Sequence, residues 1–175
     1  DEMEELTDDY AAYVLEQFNT AKVECADARL LIEQRLDFSH IVPGGFGTGD
    51  AVIITEPCLH IIDLKYGMGV LVEAEHNPQL MLYALGALHA FGSLYDIGKV
   101  AVTIFQPRRS NVSTWTITAT DLLAWAETVV APKAQLAATG GGQFAAGSWC
   151  QFCKLAPTCK ARAEANLDIA KYEFA

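Results

Sequence analysis

Two apolar runs in the middle of the chain each carry an acid, and the second adds a lysine two residues later. They are Gly49-Asp50-Ala51-Val52-Ile53-Ile54 and Leu59-His60-Ile61-Ile62-Asp63-Leu64-Lys65-Tyr66-Gly67. Short apolar runs bounded by turn residues read as strands, so Asp50 is expected to open one strand and Asp63 and Lys65 to close the next. Residues two apart on a strand share a face, which puts the Asp63 carboxylate beside the Lys65 ammonium. Asp50 joins them if Thr55-Glu56-Pro57 turns a hairpin. Two carboxylates converging at a sheet edge repel each other and persist where something positive is held between them. Oxygen-only ligands favour Mg²⁺ or Mn²⁺, which completes its shell with water and phosphate oxygens. A lysine beside such an ion orients the attacking water or stabilises charge building on phosphorus. The plain alternative is that both acids are strand-end turn residues and Lys65 is a solvated charge.

A second stretch with chemistry in its spacing is Cys150-x2-Cys153-x5-Cys159. A tight turn can present two thiolates and the following loop a third. Clustered cysteines in an intracellular protein suggest metal before disulfide, and soft thiolates choose zinc or an iron–sulfur cluster.

Around these stretches the chain supplies scaffolding. Residues 4–24 recur in apolar side chains at three and four residue steps (Leu6, Tyr10, Tyr13, Val14, Phe18, Ala21) and read as an amphipathic helix. Residues 29–38 alternate and read as a first strand, with Glu33 and Arg35 on one face, either lining a site or pairing. Residues 43–49 are a glycine-rich turn that lacks the Lys-Ser/Thr ending of a phosphate-binding loop. Asn77-Pro78 is a helix start, with Asn as the cap and Pro in the first turn; Gln79 and Tyr83, four apart, share one face of that helix. Residues 99–105 and 114–118 read as two further strands around Arg108 and Arg109, and residues 120–136 as another helix.

The order of these parts resembles the RecB-type branch of the PD-(D/E)XK nuclease superfamily. Gly-x-Asp at Asp50, Ile-Ile-Asp-x-Lys-x-Gly at Asp63 and Lys65, and Gln-x-x-x-Tyr at Gln79 and Tyr83 carry the likeness, which runs from about residue 29 to the C-terminus. The wording around Asp63 and Gln79 is most similar to a branch found in phages and prophages. The resemblance implies an α/β fold with a restriction-endonuclease-like core, a mixed central sheet flanked by helices and a C-terminal cysteine-bearing cap. On it, residues 1–175 form one domain, with a catalytic core at 28–137 and the cap at 143–175. It implies Mg²⁺- or Mn²⁺-dependent hydrolysis of DNA phosphodiesters, exonuclease action included. Asp50 and Asp63 would hold metal, Lys65 would orient water, and Gln79 and Tyr83 would contact DNA or steady the site. It also implies that Cys150, Cys153 and Cys159 hold a structural 4Fe-4S cluster, zinc being the alternative. An early cysteine and a helix histidine belong to that pattern. Cys25 is the early candidate besides Cys58, and no histidine precedes His40, so the first segment of the pattern is expected to lie outside this chain. His40, His60, His76 and His89 receive no metal role, His76 being the one near the site. Implied partners are DNA and phage or host recombination and repair proteins.

Composition bounds these readings. At 175 residues, 51% apolar and 19% charged, the chain is long enough for a real core. No apolar stretch reaches the roughly 20 residues of a membrane helix, and the first residues are acidic, so a cytoplasmic protein without a leader is expected. The net charge of −10 argues against a general nucleic-acid binder, because phosphate affinity comes from Lys and Arg. Six of the 22 acids lie within residues 1–9, which leaves the remainder closer to balance. Two rivals stay in view: a non-catalytic DNA-end or partner-binding module on the same fold, and a zinc-stapled structural phage protein.

Overall fold

The computed structural model describes residues 2–173. These fall into two compact units, one ending at Gln135 and one beginning at Leu136.

In the first unit, helix α1 (Glu2–Glu24) is followed by strands β1 (Arg29–Asp37), β2 (Phe46–Ile54) and β3 (Cys58–Leu64). Helix α2 (Pro78–Phe91), strands β4 (Lys99–Gln106) and β5 (Asn111–Thr118) and helix α3 (Ala119–Trp125) complete the order. The strands form one five-stranded sheet in sequence order, antiparallel except for β3 and β4, which run parallel. A parallel neighbour needs a crossover, and α2 supplies it. Asn77 caps α2, its side chain accepting from Gln79 N and Leu80 N, with Pro78 in the first turn. Thr118 caps α3, accepting from Asp121 N at 3.0 Å and donating to Asp121 Oδ2 at 2.7 Å. From Trp125 the helical path continues through a π-turn at Ala126–Val130 into α4 (Ala131–Ala138).

Each face of the sheet is covered by a different helix. On one side, Leu80, Met81, Ala84, Leu85 and Ala87 of α2 pack on Leu36, Val52, Ile54, Leu59, Ile61, Val100, Val102 and Ile104. On the other, Val14, with Tyr10, Tyr13, Phe18 and Ala21 of α1, packs on Ala51, Ile53, Ile62 and Leu30. With both faces covered, the central strands carry apolar residues at nearly every position. At about 25 cal/mol per Å² of apolar surface removed from water, each fully buried Leu or Ile contributes roughly 1.5–3 kcal/mol.

Two boundaries differ from the sequence reading. The glycine-rich stretch is strand from Phe46 onward, so Asp50 is the fifth residue of β2 and not its first. Here glycine is a packing requirement: a Cβ on Gly47 would lie 2.2 Å from Tyr83 Cε1, and one on Gly49 would lie 3.0 Å from Leu36 Cδ1. β5 begins at Asn111, ahead of the strand expected at residues 114–118, and a short 3₁₀ turn at Pro107–Arg109 makes the connection from β4.

The second unit holds a 3₁₀ turn at Ser148–Phe152, another at Ala156–Thr158, and helix α5 (Lys160–Glu173), which the sequence reading did not include. Phe144, Trp149, Phe152 and Leu167 are exposed there.

Candidate active site

The β2–β3 hairpin turns at residues 55–57 as expected, and its register pairs Ala51 with Ile62. One step further along, Asp50 stands across from Asp63. At this point the strands part, and Asp50 leaves the ladder: its Oδ2 accepts a 2.7 Å hydrogen bond from the Leu64 backbone N–H. Asp63 is only 3% exposed. Lys65 Nζ lies 2.7 Å from Asp63 Oδ2, a charge-assisted contact. A carboxylate has about four acceptor sites on its two oxygens, so Asp63 keeps capacity for a further ligand beside the lysine. Burial raises the Asp63 pKa above the ordinary carboxylate value; Lys65 pulls it down, and Asp50 pushes it up again.

The lysine is held from the other side by α2. Lys65 Nζ donates to Gln79 Oε1 at 3.1 Å, and Gln79 Nε2 donates to Tyr83 Oη at 2.9 Å. Asp63, Lys65, Gln79 and Tyr83 thus form one continuous polar chain, with Asp50 set against its carboxylate end. The i, i+4 spacing on a capped helix puts Gln79 and Tyr83 in line, and Gly47 makes room for the Tyr83 ring.

Two further residues belong to this site that the sequence reading assigned to scaffolding or left open. Tyr10 reaches in from α1, its hydroxyl 3.4 Å from the Ile62 carbonyl and its ring 5.6 Å from that of Phe105. Burial, joined by the charges of Asp50, Asp63 and Glu33, raises the Tyr10 pKa and keeps it a neutral O–H donor. Glu33 sits in β1 with φ of 51°, a left-handed conformation uncommon for any residue but glycine. Pairing runs Ile32 to Ala51 and then Gln34 to Gly49, which leaves Glu33 opposite Asp50 as the unbonded pair. On β1, Leu31 and Leu36 both belong to the α2-side core although five residues apart. On β2, the Cβ direction of Gly49 points to Leu36 and Val52, on the same side as Val52 itself. Strict alternation would put residues an odd number apart on opposite faces, so both strands turn over at Glu33 and Asp50. That turnover takes Asp50 out of the ladder and lets it reach Leu64. A φ value on glutamate leaves no mark in the sequence; an aromatic on the inner stripe of the first helix is the one signal that pointed to Tyr10.

The chemistry of the donor set fits one hard divalent cation. Asp50 and Asp63 offer carboxylate oxygens, and such ions draw their remaining ligands from water and substrate. Among the described residues, no three or more His, Cys, Asp or Glu side chains are grouped to hold a metal by themselves. The histidines lie elsewhere: His60 against Thr103 Oγ1 at 2.7 Å, His76 against the Trp115 ring, and His40 stacked on His89. Arg109 donates to the Met68 and Gly69 carbonyls and fastens the loop after Lys65. Arg108 lies 3.5 Å from Glu2 and over the Tyr66 ring.

In the second unit, Cys150, Cys153 and Cys159 are free thiols, and Cys153 is exposed. Successive tight turns, Cys153 N to Cys150 O at 3.2 Å and Ala156 N to Cys153 O at 3.0 Å, put Cys150 and Cys153 on one bend. Among the described residues the three are not drawn into a ligating group. Cys25 and Cys58 belong to the first unit; burial raises the Cys58 thiol, as suits a packed side chain. No helix among the described residues is long and apolar enough to cross a membrane.

A solved structure titled "Crystal structure of SSO0001" is similar at 16% identity and a TM-score of 0.42, over 92% of this chain and 78% of that one. The profile of a family described as "Protein of unknown function (DUF2800)" matches residues 1–175, and the chain belongs to that family.

Proposed function

We propose that the chain is a Mg²⁺- or Mn²⁺-dependent deoxyribonuclease of the RecB-like PD-(D/E)XK type, acting as an exonuclease on DNA phosphodiesters. The observation that carries this reading is the buried Asp63 carboxylate with the Lys65 ammonium 2.7 Å from it and Asp50 one step past the last pair of the hairpin. Asp50 and Asp63 would hold the ion, with the Leu64 carbonyl as a further oxygen. When bound, the ion supplies charge neutralisation at the phosphate and lowers the pKa of its water.

The chain's own groups do the rest. Lys65 keeps an N–H donor at the edge of the carboxylates, where it orients the attacking water and meets the charge developing on the phosphate. Gln79 fixes that ammonium from the far side, and Tyr83 fixes Gln79, so the pair positions lysine and strand together. Tyr10 closes the α1 side and excludes water. A 4Fe-4S cluster, or zinc, on Cys150, Cys153 and Cys159 belongs to the same reading and is supported by spacing and free thiols; iron, sulfide and zinc analysis of the purified protein tests it.

The test of activity is end-labelled DNA incubated with Mn²⁺ or Mg²⁺. Wild type is expected to shorten it, EDTA to stop the reaction, and Asp63→Ala and Lys65→Ala each to abolish it. Absence of cleavage by wild type, or cleavage by both variants equal to that of wild type, would refute the reading. The net charge of −10 favours a second one, a non-catalytic module on the same fold that binds a protein partner, and it predicts no shortening by wild type.

A further inference from the structure

The two edges of the sheet are built differently. β1 forms one edge and β5 the other. An edge strand presents a row of unpaired N–H and C=O groups to any chain that comes alongside, and proteins blunt it with charge, proline or a break in the strand. β1 has such protection: it carries Arg29, Glu33, Arg35 and Asp37, and the left-handed residue Glu33 interrupts its line. β5 has none. Its eight residues, Asn-Val-Ser-Thr-Trp-Thr-Ile-Thr, hold no charge, proline or glycine and are rich in β-branched side chains.

Backbone geometry shows which groups of β5 lie open. The Phe105 carbonyl accepts from Lys65 N on the β3 side, so the N–H and C=O of its neighbours Ile104 and Gln106 turn towards β5. These two pair with Ser113 and Asn111, and Ala119 N continues the series by donating to the Gly98 carbonyl. The odd-numbered residues of β5 therefore bond to β4, while Val112, Thr114 and Thr116 aim their N–H and C=O outward. No strand among the described residues other than β4 pairs with β5, and no turn or loop backbone takes these groups. Trp115 and Ile117 pack into the α2-side core; the side chains of Val112, Thr114 and Thr116 stand on the opposite face and are exposed.

We propose that β5 is the interface of a homodimer, in which two copies pair antiparallel across a two-fold axis and join their sheets into one. A two-fold sets the same strand against itself, and two observations favour a second copy over an unrelated chain. A strand without charge lets two molecules of net charge −10 meet with no like charges along the seam. The exposed charges just beyond its ends are opposite in sign: Arg109 before it, bonded only to the neutral Met68 and Gly69 carbonyls, and Asp121 after it, bonded to the Thr118 hydroxyl. Antiparallel pairing that brings Arg109 beside Asp121 of the partner subunit puts Thr114 across from Thr116 of the partner subunit and Val112 across from Thr118 of the partner subunit. Such β-branched and Thr–Thr pairs are stabilising. Glu73, bonded to Ser113 Oγ on the α2 side, then falls near Ile117 of the partner subunit and meets no like charge. Because β5 runs against β4 and β3, the two acid-bearing sheet ends point in opposite directions. Both candidate sites stay open, and the dimer does not depend on the nuclease reading.

The experiment is analytical ultracentrifugation over a range of concentrations, with hydrogen exchange of the β5 amides read alongside. Wild type is expected to reach twice the 19.0 kDa of one chain and to separate on dilution, protecting the Val112, Thr114 and Thr116 amides only when concentrated. Thr116→Lys sets a charge into the seam from each copy and should weaken association about tenfold. Thr116→Pro removes an N–H that β4 does not use, a change an edge strand tolerates, and should weaken association at least as much. Ile32→Lys makes the same charge change at an exposed position of β1, 59% accessible, and should associate as wild type. Thermal melts check that each variant is folded, and the two Thr116 variants carry the test independently. A wild type that stays monomeric, association unchanged in both Thr116 variants, equal loss in Ile32→Lys, or a mass that keeps growing past two chains would overturn the proposal.

Discussion

Replacing Asp63 by Asn should stabilise the protein and destroy its activity. The carboxyl is 3% exposed, and burial is the largest influence on its pKa, raising it; Lys65 opposes and Asp50 reinforces the shift. A carboxyl whose folded pKa lies above its unfolded value contributes stability that is fully present below the unfolded value of 3.8. That stability is lost as pH rises through the folded value. At pH 8 the native protein therefore carries an ionised carboxylate at a net cost. Replacing a buried ion pair by neutral groups is neutral to stabilising by about 1–4 kcal/mol, whereas removing one partner is costly where it strands a buried charge. Lys65 is 30% exposed and keeps its bond to Gln79, which leaves it solvated when its partner is gone. The expectation is accordingly at the low end, about 1 kcal/mol, or about 2–4 °C in melting temperature for a domain of this size. Melts of both proteins from roughly pH 4 to pH 8 measure it: the gap should be widest at pH 8 and close as acid protonates the wild-type carboxyl. Cleavage should fall by about 10²-fold or more. A variant less stable than wild type at pH 8, or a gap that does not change with pH, would refute the account of Asp63 as a penalised buried charge.

Lys65→Met should do the reverse for stability, costing about 2–3 kcal/mol because it strands the buried carboxylate, and denaturant titration of the Asp63→Asn, Lys65→Met double variant should recover most of that loss with activity still absent. Gly47→Ala brings a methyl to 2.2 Å from Tyr83 Cε1, so the ring must swing and release Gln79. A loss of about 1–3 kcal/mol, with a fall in kcat larger than any rise in KM, is expected from melting and steady-state kinetics. Burial lowers the His60 pKa from 6.5 to about 4, so the unfolded chain binds its proton first. Stability should drop as pH falls from about 6.5 towards about 4, and in His60→Gln melts that slope should flatten.

Local signals were enough for the parts of the site that are local. The hairpin at residues 55–57, the Asn77-Pro78 start of α2 and the face shared by Gln79 and Tyr83 follow from turn chemistry, capping and the 3.6 period. The link from Lys65 to Gln79 was not legible, because it depends on the loop at residues 66–77 bringing α2 back over the end of β3. That loop is held by distant groups: Gln106, 2% exposed, accepts from Val72 N and donates to the Val70 carbonyl, while Ser113 accepts from Ala74 N. The glycines misled in the opposite sense. Runs of glycine ordinarily punctuate turns, but Gly47 and Gly49 are in mid-strand because Tyr83 and Leu36 occupy the space their side chains would need.

The turnover at Glu33 and Asp50 shows the same limit most sharply. A glutamate in the left-handed region costs of order 1–3 kcal/mol and persists only where its surroundings over-determine it. Here the surroundings are two cores of opposite hand: Leu31 and Leu36 must both face α2, while Leu30 must face α1. An odd separation between Leu31 and Leu36 cannot satisfy that in a flat strand, so one residue between them has to break alternation. The break falls opposite Asp50, in step with a matching break on β2. The demand of the two cores is therefore what frees the Asp50 carboxylate from the sheet and brings it to Leu64, beside Asp63. Packing on both faces, and not the acid-x-lysine spacing alone, sets the geometry on which the proposed chemistry depends.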